Sequence, residues 1–141
     1  MKILPLFSSK SIALIDDDLL FLEAMSSLLK EKYLLEVFSN PINALNYFYD
    51  SYPVSSQVST SNNPFEIGVI IVDYNMADMN GIELCRKLNF LPTKKILLTG
   101  DGCEKLPTDA LNEGQINCFI RKDSLTLPED IDFHLKRFIK E

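Results

Sequence analysis

Residues 67–72, with the sequence Ile-Gly-Val-Ile-Ile-Val, form an uninterrupted apolar run that leads directly into Asp73. A continuous apolar run of this length is typical of a strand that is buried on both faces of a parallel sheet. A carboxylate at the end of such a strand is unfavourable unless it is paired or takes part in chemistry. The run therefore predicts a buried strand in a layered fold and makes Asp73 a candidate functional residue.

Four other short apolar runs alternate with segments of helical periodicity along the chain. These runs cover residues 11–15, 34–38, 95–99 and 116–120. A helical pattern follows each run, and no hairpin signal joins one run to the next. Five strands that alternate with about five helices predict an α/β fold with a parallel sheet.

The composition fits one domain with a sizeable core. A chain of 141 residues, 46% of them hydrophobic, suits a single domain, which we expect to span residues 1–141 with a core at about 11–140. Residues 51–64 are rich in Ser, Asn, Thr and Pro and nearly free of charge. This segment predicts a flexible insertion loop on the surface.

Charge and hydropathy exclude two classes of partner. The net charge of −6 disfavours direct nucleic-acid binding, because the phosphate backbone attracts basic patches. No apolar run approaches the length of a transmembrane span. Cys85, Cys103 and Cys118 contain no CxxC pair, which indicates reduced thiols. The sequence therefore predicts a cytoplasmic protein that binds neither nucleic acid nor membrane directly.

Polar and charged residues follow the predicted strands at the edge where parallel sheets bind ligands. The charges of Asp16, Asp17 and Asp73 would sum to zero with those of one divalent cation and Lys122. Mg²⁺, or Mn²⁺ in its place, suits such carboxylates and commonly serves phosphoryl groups. A carboxylate beside Mg²⁺ and lysine can form an aspartyl phosphate. The strand-end residues are Asp16, Asp17, Asp18, Asp73, Thr99, Gly100 and Lys122.

Four motifs in order resemble the receiver domain of two-component response regulators, the CheY-like family. The motifs are LIDDD, VDYNMADMNG, LLTG and FIRK, and the resemblance extends from about Ser11 to Lys140. It implies a flavodoxin-like, doubly wound sheet of five parallel strands in the order 2-1-3-4-5. It also implies a signalling phosphoacceptor that catalyses only its own phosphorylation and dephosphorylation, and is not an enzyme acting on other substrates.

The resemblance implies a role for each matching position. Asp73 would accept the phosphoryl group, with Thr99 and Phe119 as coupled switch residues. Asp17 would bind Mg²⁺ directly and Asp16 through water, and Asp73 and the Asn75 backbone carbonyl would also bind it. Lys122 would bind the phosphoryl group. The implied loop positions are Met76, Ala77, Gly81 and Gly100.

The same resemblance implies the partners. A histidine kinase or a histidine phosphotransfer protein would donate the phosphoryl group. A downstream protein would bind the face formed by helix 4, strand 5 and helix 5, and the chain would be a monomer or a phosphorylation-dependent dimer.

Two positions depart from the family pattern. Ala77 and Asp123 stand where the family usually has Pro, four residues after the phosphoacceptor and directly after the lysine. A trans Lys122–Asp123 bond is expected, since a cis bond without Pro costs about 2.5–4 kcal/mol. Asp123 also adds a negative charge that we expect near the site.

Four other interpretations remain open from the residues alone. Residues 16–18 could simply cap the first helix, and Phe119 could be a core residue. A pseudo-receiver would bind partners without phosphorylation. A haloacid-dehalogenase-like phosphatase would use Asp16 as nucleophile and Asp18 as the second aspartate, although Leu20 does not fit its motif.

Overall fold

A computed structural model describes residues 11–51, 67–100 and 104–139 of the chain. One parallel sheet with the strand order β2-β1-β3-β4-β5 forms its centre. This order confirms the fold predicted from the sequence. Apart from Ser51, the predicted insertion loop 51–64 lies outside the described residues. The strands are β1 (Ser11–Ile15), β2 (Leu34–Phe38), β3 (Ile67–Asp73), β4 (Lys94–Thr99) and β5 (Cys118–Arg121).

One helix follows each strand, as the alternating pattern predicted. No helix in the described ranges is long and apolar enough to cross a membrane. The helices are α1 (Leu19–Leu29), α2 (Pro41–Ser51), α3 (Gly81–Lys87), α4 (Lys105–Asn112) and α5 (Leu127–Ile139).

The central strand β3 is buried on both faces, and its side chains alternate between two cores. Ile70 and Val72 belong to a core that α2, α3 and α4 complete. Val69 and Ile71 belong to the opposite core, which α1 and α5 cover. Burying one such side chain contributes roughly 1.5–3 kcal/mol. The two cores therefore fix β3, and with it the position of Asp73 at its carboxyl end.

The sheet edge at the carboxyl ends is held by backbone hydrogen bonds that continue past the strands. The Asp16 amide donates to the Phe38 carbonyl at 3.1 Å, and the Lys122 amide donates to the Thr99 carbonyl at 2.7 Å. The direction of winding reverses between β1 and β3, which is where open α/β sheets bind ligands. The fold thus gathers the predicted site residues at one crevice.

Helix α3 begins in close contact with the end of β3, and Gly81 makes this contact possible. A Cβ atom at Gly81 would lie 2.4 Å from the Asp73 carbonyl oxygen and 2.8 Å from Leu97 Cδ1. The Gly81 amide also donates to the Tyr74 carbonyl at 2.9 Å. Gly81 is therefore required by packing between helix and strand.

We predict that Gly81→Ala lowers the free energy of unfolding by roughly 1–3 kcal/mol, because the added methyl group must displace backbone atoms. Gly100→Ala is the matched control, since its Cβ would meet no atom closer than Asn75 Nδ2 at 3.9 Å. Urea unfolding measures both variants. Equal stability of the two variants would contradict the packing role of Gly81.

Candidate functional site

Three carboxylates converge at the crevice between β1 and β3. Asp16, Asp17 and Asp73 each place one carboxylate oxygen within 4.8 Å of the others. Asp16 is 0% and Asp73 5% exposed, whereas Asp17 is exposed. Two of the three negative charges are therefore largely removed from water, where charges need partners.

Lys122 supplies the positive charge of the site. Its ammonium donates to Asp16 Oδ2 at 2.7 Å and lies 3.4 Å from Asp73 Oδ1. The same ammonium lies 4.4 Å from the centre of the Phe21 ring, within the range of a cation–π contact. One lysine thus bridges both buried carboxylates, at the sheet edge where the sequence placed Lys122.

Burial and charge shift the acidity of these groups. Burial, reinforced by the negative charge of Asp16, raises the pKa of Asp73 from 3.8 to about 6, against the opposing effect of Lys122. Burial also raises the pKa of Asp16, although its hydrogen bond with Lys122 opposes this. Burial alone would lower the pKa of Lys122, but the two carboxylates outweigh it and raise that pKa. Lys122 therefore offsets only part of the effect of burial on the two carboxylates.

The donor set fits a hard divalent cation. All three groups offer carboxylate oxygens, the ligands that Mg²⁺ takes in proteins. Asp16 is already bonded to Lys122 and to the Asp18 amide, at 2.7 and 2.9 Å. Asp17 and Asp73 are consequently the carboxylates that could ligate a cation directly. This is consistent with the expectation that Asp16 would act through water.

The three consecutive aspartates point to three different partners. Asp18 caps α1, since its side chain accepts the Phe21 amide at 3.2 Å. Asp17 Oδ2 instead accepts the Ala77 amide at 2.9 Å. The helix-cap interpretation therefore holds for Asp18. A phosphatase with Asp18 as its second catalytic aspartate would need that carboxylate in the pocket, which is not the arrangement observed.

The predicted switch residues lie beside the site on β4 and β5. Thr99 is buried, and its hydroxyl donates to the Ile120 carbonyl at a long 3.5 Å. Phe119 is half-buried and packs against the core covered by α2, α3 and α4. Because this hydrogen bond is long and weak, the Thr99 hydroxyl can exchange it for another acceptor at little cost in free energy.

The residues after β3 form a loop over the pocket. Asn75 and Ala77 are exposed, while Met76 is half-buried and packs against the core beneath α2 and α3. The Asn75 side chain lies near the exposed Gly100, which directly follows β4.

The segment that carries Lys122 has a trans backbone and an ion pair next to the lysine. No peptide bond in the described residues is cis, as expected for Lys122–Asp123. The negative charge of Asp123, however, is taken up by Arg121 through hydrogen bonds of 3.1 and 2.9 Å. The hydrogen bonds with Arg121 lower the pKa of Asp123. Arg121 therefore balances the negative charge of Asp123 locally.

Three contacting residues were not singled out from the sequence. Phe21 lies beneath the Lys122 ammonium, and the Asn40 side-chain amide donates to Asp78 Oδ2 at 3.0 Å. The second contact joins the loop after β2 to the loop after β3. No periodic pattern in the sequence predicts either contact.

We predict that Asp73→Asn stabilises the metal-free protein at neutral pH. Since the folded pKa of Asp73 is about 6, above its ordinary 3.8, the wild type loses stability as pH rises from about 4 to about 6. The variant has no such ionisation. The difference in free energy of unfolding between Asp73→Asn and the wild type should therefore increase by about 2–3 kcal/mol between about pH 4 and pH 7, in favour of the variant.

Unfolding in EDTA at a series of pH values measures this difference. Asp50→Asn, which changes an exposed carboxylate on α2, is the control and should follow the wild type. A difference between wild type and Asp73→Asn that does not change with pH would contradict the raised pKa.

Comparison with known proteins agrees with this geometry. Residues 12–126 match the response regulator receiver domain family. The structure of the Legionella pneumophila response regulator LqsR is similar, with a TM-score of 0.81 and 32% identity over 92% of this chain and 43% of that chain. The chain thus spans less than half the length of LqsR. No curated protein matches.

Two further structures share the fold at lower identity. A receiver domain protein from Clostridium thermocellum has a TM-score of 0.73 and 20% identity, covering 92% of this chain and 93% of that chain. A CheY-like receiver domain protein from Methanospirillum hungatei JF-1 has a TM-score of 0.71 and 23% identity, with the same coverage of 92% and 93%. The family match covers most of the sequence, and the strand order and the acidic crevice agree with it. The chain belongs to the response regulator receiver domain family.

Proposed function

We propose that this chain is a phosphorylatable receiver in which Asp73 accepts a phosphoryl group from a histidine kinase or a histidine phosphotransfer protein. The observation that carries the proposal is a buried carboxylate, Asp73, beside the Lys122 ammonium at 3.4 Å and two further aspartates. Membership of the receiver family supports a signalling phosphoacceptor over an enzyme acting on other substrates.

In the proposed transfer, an Asp73 oxygen attacks phosphorus as the phosphorus–nitrogen bond of the donor phosphohistidine breaks. The leaving imidazole keeps the electron pair of that bond and takes up a proton. Lys122 is placed to bind the phosphoryl oxygens, and its raised pKa keeps it charged. Asp16 holds Lys122 in position through the 2.7 Å hydrogen bond.

Mg²⁺, or Mn²⁺ in its place, would be held by Asp17, Asp73 and the Asn75 backbone carbonyl, with Asp16 as an indirect ligand. When bound, the cation would neutralise carboxylate charge and stabilise charge on the transferring group. The oxygen-only donor set and the excess of carboxylate over ammonium in the crevice support this assignment.

A switch through Thr99 and Phe119 would report phosphorylation to a protein partner. Thr99 would exchange its weak 3.5 Å bond for one to a phosphoryl oxygen, and Phe119 would turn inward. Exposed apolar side chains on α4 and α5, including Leu106 at 48% and Phe133 at 63%, support the α4–β5–α5 face as the docking surface.

The wider setting is part of the same proposal. The receiver would extend over residues 1–141 and act in the cytoplasm, as a monomer or a phosphorylation-dependent dimer. A pseudo-receiver, which would bind partners without phosphorylation, would not need the complete set of Asp17, Asp73, Thr99 and Lys122.

We predict that acetyl phosphate with Mg²⁺ adds one phosphoryl group to the wild type. Intact-mass measurement should show this adduct and no adduct when EDTA replaces Mg²⁺. Asp73→Asn removes the nucleophile, so this variant should stay unmodified. Asp78→Asn, a matched change on the same loop, should still be phosphorylated.

An unmodified wild type, or an adduct that persists in Asp73→Asn, would contradict the proposal. The first result would favour the pseudo-receiver. Turnover of p-nitrophenyl phosphate well above background would instead favour a phosphatase.

A further inference from the structure

The loop of residues 74–80, between β3 and α3, is tied to both neighbouring loops. The Ala77 amide donates to Asp17 Oδ2 at 2.9 Å, across to the loop after β1. The Asn40 side-chain amide donates to Asp78 Oδ2 at 3.0 Å, across to the loop after β2. Ala77 and Asp78, which are adjacent in this loop, thus bond to two different loops. We call these two hydrogen bonds, Ala77 to Asp17 and Asn40 to Asp78, the loop clasp.

The first contact depends on a backbone N–H at position 77. Proline has no such group, so a chain with Pro at this position could not form the bond. The acceptor is a carboxylate, and hydrogen bonds to ionised acceptors are stronger than neutral ones. The departure from the family pattern at Ala77 therefore adds an interaction with Asp17, a carboxylate of the candidate cation site.

Asp17 is the one of the three consecutive aspartates that accepts the Ala77 amide. Asp16 is bonded to Lys122, and Asp18 caps α1. A carboxylate has two oxygens, so the bond to Oδ2 leaves Oδ1 for another ligand. The contact is therefore compatible with cation binding and limits the rotation of the Asp17 carboxylate.

The second contact is anchored by a helix cap. Asn40 Oδ1 accepts the amides of Ile42 and Asn43 at 2.7 and 3.1 Å, which fixes the side chain at the start of α2. Its Nδ2 atom is then directed at Asp78. A single asparagine therefore both caps a helix and holds the loop.

We propose that Ala77 and Asn40 are positioning residues for the cation site. Through the loop clasp they orient Asp17 and keep the loop that carries Asn75 over the carboxylates. The loop clasp restricts the backbone of residues 74–80, as Pro at position 77 would otherwise do. This inference rests on the proposed Mg²⁺ site, and it concerns residues that would not themselves contact the phosphoryl group through their side chains.

Mg²⁺ affinity, measured by isothermal titration calorimetry, tests the first contact. Ala77→Pro removes the N–H and should weaken Mg²⁺ binding about 3- to 10-fold, a modest effect because the bond is exposed. Ala77→Ser keeps the N–H and should bind within about 2-fold of the wild type. Equal or tighter binding by Ala77→Pro, with normal wild-type binding, would overturn this inference and leave the proposed function intact. No Mg²⁺ binding by the wild type would overturn both.

Solvent exchange of the Ala77 amide, followed by NMR in EDTA, tests the clasp without any cation. Asp17→Ala should make this amide exchange several-fold faster. Asn40→Asp keeps the helix cap but places a carboxylate against Asp78, and it should also speed exchange. The double variant Asn40→Asp with Asp78→Asn restores a donor and an acceptor, so exchange should return towards the wild-type rate. Exchange that is equally fast in all four proteins would show that the clasp does not form.

Discussion

The ion pairs of Lys122 with Asp16 and Asp73 are the interaction on which the rest of the site depends. Two carboxylates that are 0% and 5% exposed share one ammonium, at 2.7 and 3.4 Å. Removing Lys122 would leave two buried carboxylates without a compensating charge, which is strongly destabilising. Even so, burial, reinforced by the charge of Asp16, keeps the pKa of Asp73 raised to about 6. Three carboxylates also converge where Lys122 supplies one ammonium. A bound cation, as proposed for this site, would offset carboxylate charge and lower the pKa of Asp73.

The scaffold makes this costly arrangement possible. A parallel sheet covered on both faces fixes β1 and β3 through their apolar side chains, and it presents the carboxyl ends of both strands at one crevice. Gly81 lets α3 pack directly against the Asp73 carbonyl, and the loop clasp at Ala77 and Asn40 holds the intervening loop. Rigid strands therefore carry the charged groups, whereas the weak 3.5 Å hydrogen bond of Thr99 remains able to change.

The sequence predicted a parallel α/β sheet and charged residues at its strand ends, because both follow from periodicity. The strand order was implied by the resemblance to receiver domains. Apolar runs located the strands, and their carboxyl ends located Asp73 and Lys122. Boundaries were less accurate: Ile116 is buried like a strand residue, yet β5 begins at Cys118. Contacts between exposed loops, such as Asn40 with Asp78, depend on how elements far apart in sequence are placed, and no local pattern encodes that. For the same reason the pairing of Asp123 with Arg121 was not predicted from the sequence.

The central claim is that Asp73 lies in a pocket whose carboxylates outnumber its single ammonium, so that a cation controls its ionisation. Titration of the Asp73 carboxyl carbon by NMR, with and without Mg²⁺, measures this directly. The account predicts a pKa of about 6 in the metal-free protein and a clear fall when Mg²⁺ is added. A pKa near the ordinary 3.8 that Mg²⁺ does not move would contradict it.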